Sequence, residues 1–468
     1  MSAIAAPSVT IIGDGLSGAL LAIKLAAARP EQVVQLVGDF SEAGGGIAYG
    51  RCAPHHILNV PVSRMEVGLR PSFHDWLQAR REPLDEALKE SGGSLPNAFV
   101  PRRLFGNYIG DCLHAGLNEH RNLRAVTGEA VAVRDNPRSV LLADGKTVAS
   151  DIVVLATGHL PPTLPFAAPA TPRIIRDPWL AWPEIAPDAT IVLAGTGLTM
   201  VDAVLSLRAA GHRGKLVAIS RHGRLPRPHC GGGTWDTVAV PVGATPRQAL
   251  QALRAAVRAA EAAAIPWQRV FDALRPAVAS IWHRWPASER SHFLRHLRAP
   301  WDVHRHRMAP RIASQIDALQ RDGTLSVSAA RIIACDTNRD NLALMVRPRG
   351  GRAQLLEVDI LINCTGTGAD PRRGGSALLS DLIERGLAIG DPLGLGLETD
   401  DCALLYRRGQ HSSWLYAIAS LTRPAWWEVV AVPEINAQID RLVQRLTATG
   451  TIGSAPLHAA FLDLGAGI

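Results

Sequence analysis

Two glycine-rich turns constrain the fold of this chain most strongly, because each joins a short apolar run to a helix-forming stretch. The first turn, residues 13–18, follows the apolar run 9–12, and the second, residues 195–200, follows the run 190–194. A strand, a tight glycine turn and a helix in this order open a doubly wound α/β fold. The sequence therefore predicts an α/β chain with two Rossmann-like, three-layer domains.

The first turn has the spacing G-x-G-x-x-G of a nucleotide-binding turn. In that pattern the first glycine permits a tight bend, the second lets the backbone approach a pyrophosphate, and the third lets the helix pack against the strand. The helix N-terminus then faces the phosphates. Since both flanks are correct, we favour a dinucleotide site over a sheet turn that binds nothing. The predicted contacts are Gly13, Gly15, Leu16, Ser17 and Gly18.

The ribose contact of this first nucleotide departs from the usual pattern. A carboxylate about 20 residues after the turn commonly holds a ribose hydroxyl. In this chain Gly38 follows the apolar run 33–37, and Asp39 comes next. We therefore predict Asp39 as the ribose contact.

The second turn keeps the first two glycines but has Met200 in the third place. This replacement loosens the approach of helix to strand and leaves the bend and the phosphate contact. The next apolar run ends in Arg221 and Arg224, where an NAD site would carry an acid. A guanidinium suits a 2′-phosphate, so the sequence favours NADPH over NADH; the alternative is a pair of solvated surface arginines. The predicted contacts are Gly195, Gly197, Leu198, Thr199, Arg221 and Arg224.

Two further segments share one pattern: an acid, four or five apolar residues, a small residue and Thr-Gly. They are residues 151–159 and 359–367. Ligands of parallel sheets bind in the crevice at the carboxyl ends of the strands. We interpret both segments as return strands of the first nucleotide domain, at the point where the chain passes between domains. The predicted contacts are Ala156, Thr157, Gly158, Thr365 and Gly366.

This interpretation splits the first domain around the second. We expect one nucleotide domain formed by residues 1–160 and 359–468, and a second at 161–358 with a helical insertion at about 245–322. In the insertion Thr245, Pro246 and Gln248 combine an N-cap, a first-turn proline and a capping-box glutamine. The tryptophans of the insertion form either a lid over a cofactor or the core of a helical subdomain.

Composition indicates a globular protein. The 468 residues are 47% hydrophobic and 19% charged, with a net charge of +7. The arginines are scattered without a basic run, so nucleic acid is not an expected partner, whereas an anionic substrate is compatible. The sequence has no run of about 18 consecutive apolar residues, so a membrane span is not expected. Because the first apolar run begins near the start of the chain, we expect no signal peptide and a cytoplasmic location.

The six cysteines argue against one redox class. They are far apart, without a C-x-x-C pair or a Cys/His cluster at metal spacing. A dithiol relay and structural zinc are therefore not expected. The histidines also lack a metal signature, and we predict no metal site.

As a set, segments spread over most of the chain resemble the bacterial FAD/NAD(P)-binding proteins of the two-dinucleotide-domain class. They are residues 13–18, 46–50, 58–61, 99–102, 195–202, 220–223, 301–305, 363–366 and 427–434. The resemblance implies FAD on the first turn, with Asn59, Trp427 and Glu428 near the flavin ring and the final helix directed toward it. It also implies that methionine, here Met200, is the usual residue at the third position of the second turn in this family.

Characterised relatives look like NADPH-dependent flavin monooxygenases, including urate hydroxylases and enzymes that oxidise the amino group of aspartate. The resemblance therefore implies that this chain uses NADPH, FAD and O2 to hydroxylate a small, anionic, nitrogen-containing metabolite, either urate-like or an amino acid. In such enzymes a flavin C4a-hydroperoxide delivers the oxygen atom, and no protein nucleophile is needed. Candidate substrate contacts, each with a structural or surface role as the alternative, are Asn59, Arg64, Arg102, Arg305 and Arg307.

Two other functions remain open. One is an NAD(P)H:acceptor flavin reductase that inserts no oxygen. The other is a nonenzymatic FAD-binding regulator, which is disfavoured because it has no evident use for a second nucleotide turn.

Overall fold

The computed structural model describes residues 6–80, 84–339, 341–373 and 375–448. The first part of the chain forms β1 (Val9–Ile12), α1 (Leu16–Ala28), β2 (Val34–Gly38), α2 (Gly46–Tyr49), α3 (Phe73–Ala79), α4 (Asp85–Glu90), α5 (Arg102–Glu119), β3 (Leu123–Thr127), β4 (Ala130–Asp135), β5 (Arg138–Leu142), β6 (Thr147–Ala149) and β7 (Ile152–Leu155).

The middle part forms β8 (Ile174–Ile175), β9 (Ile191–Ala194), α6 (Leu198–Ala209), β10 (Leu216–Ser220), α7 (Pro246–Ala262), α8 (Trp267–Arg284), α9 (Ala287–His296), α10 (Arg298–Arg305), α11 (Pro310–Arg321), β11 (Leu325–Asn338), β12 (Asn341–Pro348), β13 (Gln354–Val358) and β14 (Ile360–Asn363). The last part forms α12 (Ala377–Glu384), β15 (Thr399–Asp400), β16 (Ala403–Leu405), β17 (His411–Ala417), α13 (Arg423–Trp426) and α14 (Val432–Thr447). Three short 3-10 turns lie at Val62–Arg64, Leu95–Asn97 and Ala419–Thr422.

The first sheet has the strand order β15-β16-β17-β7-β1-β2-β3. Its five strands from β17 to β3 are parallel, and the edge strands β15 and β16 are antiparallel. All four residues of β1 are buried, as expected for a strand covered on both faces. Helices α1, α5 and α14 share one core with this sheet, and the three-stranded sheet β4-β5-β6 with α12 covers the other face. The predicted three-layer architecture is confirmed.

The second sheet has the order β13-β12-β11-β10-β9-β14-β8. Strands β11, β10, β9, β14 and β8 are parallel, and β12 and β13 extend the sheet as antiparallel strands. Helices α6 and α11 pack on one face of this sheet. The chain therefore carries two Rossmann-like units, and it returns to the first sheet only with β15 to β17.

The placement of the second Thr-Gly segment in the first domain is wrong. Its strand β14 pairs with β9, with Ile360 opposite Ile191, so it is an inner strand of the second sheet. In the first sheet β7 pairs with β1 in the same way, with Val9 opposite Ile152. The shared pattern marks the strand beside the glycine-turn strand in each Rossmann unit, and the predicted boundary at residue 358 lies too early. The chain segments that follow β7 and β14 come together beyond this predicted boundary, where Leu160 and Gly368 form an isolated antiparallel β-bridge.

Helices α7 to α11 form the helical insertion between β10 and β11. The structure has the predicted capping box at its start: the Gln248 amide N–H donates to Thr245 Oγ1 at 3.3 Å, and the Thr245 N–H donates to Gln248 Oε1 at 2.9 Å. Trp282 and Trp285 lie in the core of the insertion, and Trp427 from the last part of the chain joins them. Within the described ranges, every helix is too short or too polar to span a lipid bilayer.

Candidate functional site

The first glycine turn brings α1 against β1 and β7. Gly13 has φ +110°, and a Cβ there would overlap the Ala156 carbonyl. A Cβ on Gly18 would overlap the Gly13 carbonyl, so both positions require glycine. A Cβ on Gly15 would meet only Gly46, whose Cα would be 3.6 Å away. The approach to the first turn of α1 is thus open to a ligand, and helix N-terminal amides favour an anion there.

Beside the carboxyl end of β2 lies the carboxylate of Asp14, a residue of the first glycine turn. A side chain at Gly38 would overlap Asp14 Cγ, and Asp14 Oδ2 accepts a hydrogen bond from the Phe40 N–H at 2.6 Å. Burial raises the pKa of Asp14, and the Asp39 charge adds to this shift. Asp14 was not predicted as a contact, although a glycine at the expected acid position was a signal for it.

Asp39, the predicted ribose contact, directly follows β2 and is exposed. Its Oδ1 accepts hydrogen bonds from the Ser41 N–H at 2.9 Å and from Ser41 Oγ at 2.8 Å. These local hydrogen bonds lower the pKa of Asp39. Two carboxylates, Asp14 and Asp39, therefore lie near the carboxyl end of β2.

The two Thr-Gly segments end beside the two glycine turns. Gly158 and Gly366 have open space around them: a Cβ added at either would have no heavy atom of the described residues within 4 Å, apart from its chain neighbours. Thr157 Oγ1 is buried without a hydrogen-bond partner among the described residues, whereas Thr365 Oγ1 donates to Asn363 Oδ1 at 2.7 Å. A buried hydroxyl without a partner is costly, so the Thr157 hydroxyl is available to a ligand of the first turn.

The second glycine turn repeats this geometry on the second sheet. Gly195 has φ +125°, and a Cβ there would overlap the Cys364 carbonyl. Gly197 is the N-cap of α6 and has open space around it. Leu198 and Thr199 begin the helix, and Met200, fully buried, fills the core in place of the third glycine.

Arginines collect beside this second turn. Thr196 Oγ1 donates to the Arg224 carbonyl at 2.6 Å, which ties the turn to the segment after β10. Burial lowers the pKa of His222, and the positive charges of four arginines lower it further. The four are Arg221, Arg224, Arg331 and Arg349. We call them the His222 arginine cluster. Arg331, in β11, and Arg349, directly after β12 of the same hairpin, could not be predicted from local sequence because they lie more than 100 residues beyond His222 in the chain.

Arg102, a predicted substrate contact, instead links the two nucleotide units. It begins α5 and forms an ion pair with Asp202 of α6 at 3.0 Å, with both side chains mostly buried. Burial acts to lower the pKa of Arg102, but the Asp202 carboxylate, together with Tyr49 and Cys52, raises that pKa overall. His56 reinforces the link. Its Nδ1 accepts a hydrogen bond from the Ala53 N–H, so the ring proton is on Nε2, which donates to Ser206 Oγ at 2.9 Å.

Glu428, expected near the flavin ring, lies in a buried charged cluster. Arg305 Nε is 2.8 Å from Glu428 Oε2, and both side chains are about 5% exposed. Trp301 Nε1 donates to Glu428 Oε1 at 2.8 Å. Burial acts to raise the pKa of Glu428, but the charges of Arg305, His306 and Arg423 and the Trp301 hydrogen bond together lower it. Glu434, in the first turn of α14, binds both Arg305 at 3.3 Å and Arg275 at 2.8 Å.

The remaining substrate candidates surround this cluster. Arg307 is buried and pairs with Asp272. Arg64 is exposed, and among the described residues no carboxylate lies within ion-pair distance of it. The side chain is partly covered by its neighbours, and this partial burial lowers the pKa of Arg64, as does the charge of Arg275. The Asn59 carbonyl accepts a hydrogen bond from His229 Nε2 at 2.8 Å. Of the four candidate arginines, Arg64 is the one whose charge is available to a ligand.

Two sheets with parallel central strands, each with an open glycine turn at a helix N-terminus, form two Rossmann-like nucleotide-binding units in one chain. Residues 10–160 match the FAD-NAD(P)-binding family model. The family match thus covers the first nucleotide unit, about a third of the chain. Among curated proteins, none matches the sequence.

Solved structures share this fold at low sequence identity. Ornithine hydroxylase from Pseudomonas aeruginosa is 16% identical with a TM-score of 0.60, covering 95% of this chain and 100% of its own. L-lysine 6-monooxygenase from Pseudomonas syringae is 16% identical with a TM-score of 0.63, covering 94% and 99%. Bacillithiol disulfide reductase from Bacillus cereus is 14% identical with a TM-score of 0.54, covering 94% and 99%.

Proposed function

We propose that this chain is an FAD-dependent, NADPH-consuming monooxygenase that hydroxylates a small nitrogen-containing metabolite. The observation that carries this proposal is the pair of open glycine turns, one on each parallel sheet, in a single chain. The overall reaction converts substrate, NADPH, a proton and O2 into hydroxylated substrate, NADP+ and water. Structures of the same fold include hydroxylases of ornithine and lysine.

FAD fits the first turn. The open space beside Gly15 leaves room for a pyrophosphate, and the N-terminal amides of α1 favour its negative charge. The Thr157 hydroxyl, which has no partner among the described residues, can supply a further hydrogen bond. Asp14 and Asp39 provide carboxylates for a ribose. When bound, FAD supplies hydride acceptance and oxygen activation, and the protein supplies binding, orientation and exclusion of water.

NADPH fits the second turn. The open space at Gly197 admits a pyrophosphate, and the His222 arginine cluster offers guanidinium groups to a 2′-phosphate. The buried Arg305–Glu428 pair holds the loop before α14 in place, so that α14 presents its N-terminus at a fixed position.

The acceptor reductase is the second candidate, since the fold also occurs in a disulfide reductase. The cysteines disfavour a thiol relay: burial raises the pKa of Cys52, Cys112, Cys335, Cys364 and Cys402, and a thiolate is the reactive form. A reductase of this chain would have to pass electrons to a quinone or a protein. The regulator alternative leaves the second turn and its arginines without a use.

The experiment is reconstitution of the purified protein with FAD, followed by assays of NADPH oxidation and oxygen uptake. Gly197→Val fills the open space at the second turn, and Gly231→Val makes the same change at a loop glycine that also has open space. We expect the wild type and the Gly231→Val variant to bind FAD and oxidise NADPH. Gly197→Val should bind FAD and lose NADPH oxidation. A colourless protein after reconstitution would refute the proposal.

A further inference from the structure

The helical insertion encloses a cavity of about 520 Å³. Helices α7, α8, α9 and α10 form its walls, together with Trp427 from the loop before α14. Buried carbon-rich side chains of these walls are Leu253, Leu274, Val278, Trp282, Phe293 and Trp427. A volume of this size lies in the range of small-molecule sites.

Three wall tryptophans already use their indole N–H groups, whereas the buried Trp427 Nε1 has no hydrogen-bond partner among the described residues. The indole N–H of Trp282 donates to the Pro424 carbonyl at 2.8 Å, that of Trp285 to the Ala244 carbonyl at 2.7 Å, and that of Trp301 to Glu428 at 2.8 Å. These side chains therefore present ring faces and edges to the cavity. Aromatic rings pack favourably on such surfaces in offset or edge-to-face contact.

The rim of the cavity is charged. Arg224, Arg254, Arg258 and Glu261 line it and are exposed, which leaves a net positive rim. A cation entering the carbon-rich interior would lose its hydration without a buried carboxylate among the lining residues to replace it. The net positive rim therefore favours an anionic group over an ammonium group.

The cavity also has a position suited to a redox reaction. Arg224 belongs to the segment bound by the second glycine turn, and Trp427 precedes Glu428 and the N-terminus of α14. Elements of both nucleotide units thus contribute to one cavity wall.

We propose that this cavity is the substrate pocket and takes an aromatic ring compound with an anionic group at the arginine rim. This inference rests on the proposed function and narrows its substrate class. It separates the chain from hydroxylases of ornithine and lysine, whose substrates carry ammonium groups. The ring lies among the tryptophans, and the anion lies at Arg254 and Arg258.

The test uses the FAD-loaded protein without NADPH and indole-3-acetate as the probe, with binding measured by equilibrium dialysis. Leu250 is a partly exposed lining residue of α7, and Gln251 is exposed on the same helix outside the lining. Leu250→Trp fills the cavity mouth with little risk to folding, and Gln251→Trp is the matched control. We expect Leu250→Trp to weaken probe binding at least about tenfold and Gln251→Trp to leave it within about twofold.

The rim has its own test. The double variant Arg254→Glu/Arg258→Glu should weaken binding of indole-3-acetate more than binding of uncharged indole, since only the former has an anion. Arg247→Glu, an exposed change on the same helix outside the lining, should affect neither probe. Equal losses for both probes would overturn the role of the rim.

The outcomes separate this inference from the proposed function. A protein that binds FAD and oxidises NADPH but does not bind the probe, or binds it equally well in Leu250→Trp, refutes the aromatic pocket alone. Preference for L-lysine or L-ornithine over the probe also refutes it. Cavity-dependent probe binding in a protein that never oxidises NADPH upholds the pocket and refutes the monooxygenase.

Discussion

The carboxylate of Asp14 lies in the space that a side chain at Gly38 would fill, and it accepts a hydrogen bond from the Phe40 N–H. The acid that usually follows the second strand of a Rossmann unit is thus supplied here by the turn between the first strand and helix. We infer that Asp14 holds the FAD ribose together with, or in place of, Asp39.

Asp14→Asn should therefore weaken FAD binding. A hydrogen bond to a charged group contributes about 1.5–3 kcal/mol, so the dissociation constant should rise about tenfold or more. The measurement is flavin fluorescence on titration of the apoprotein. Asp39→Asn is the comparison: a larger effect at Asp39 than at Asp14 would make Asp39 the main ribose contact.

Removing a guanidinium from the His222 arginine cluster should impair NADPH use selectively. Arg331→Ala or Arg349→Ala should raise KM for NADPH several-fold, because a charge near the 2′-phosphate is lost, while KM for NADH stays constant. Arg352→Ala, an exposed change after the same hairpin, serves as the control. Equal changes for the two nucleotides would place the cluster outside the 2′-phosphate site.

Breaking the buried Arg305–Glu428 pair should destabilise the protein strongly. Arg305→Met leaves a buried carboxylate without its partner, and the free energy of unfolding should fall by about 3–5 kcal/mol in urea titration. Lys146→Met removes an exposed partner of Asp144 and should leave the unfolding midpoint unchanged. A loss in Arg305→Met no larger than that of the surface variant would show that the pair contributes little.

Acidification should destabilise the fold through two histidines. Burial lowers the pKa of His159 and of His229 from 6.5 to about 4 in the folded state. The unfolded chain then binds more protons, so stability is present above pH 6.5 and declines as the pH falls toward about 4.

The corresponding variants are His159→Gln and His229→Gln, since glutamine removes the titration and keeps a hydrogen-bonding side chain. Each should reduce the slope of unfolding free energy against pH between pH 4 and 6.5. His74→Gln, on the exposed side of α3, controls for loss of a histidine. An unchanged slope in both variants would contradict the assignment.

Local sequence patterns were sufficient for the elements that local chemistry determines. The two glycine turns and the capping box at Thr245 occur where the sequence predicts them, because each depends on residues within a few positions of one another. The Thr-Gly strand β14 was assigned to the wrong sheet, since an apolar run does not indicate which neighbour it pairs with.

Long-range relationships could not be read from the sequence. Arg305 and Glu428 meet across more than 100 positions, and the hairpin arginines approach His222 across a similar distance. Arg102 and Arg307 were predicted as charges near the site, but their carboxylate partners depend on packing, between the two units for Arg102 and within the helical insertion for Arg307. The aromatic cavity likewise arises from four helices and a distant loop.

The most direct test of the monooxygenase is the fate of labelled molecular oxygen. The FAD-loaded protein would be incubated with NADPH, labelled O2 and a pool of aromatic acids, urate and amino acids, and the products analysed by mass spectrometry. The proposed function predicts a product that carries one labelled oxygen atom, formed only with NADPH and abolished in Gly197→Val. Substrate-stimulated NADPH oxidation without label in any product would contradict it and favour the acceptor reductase.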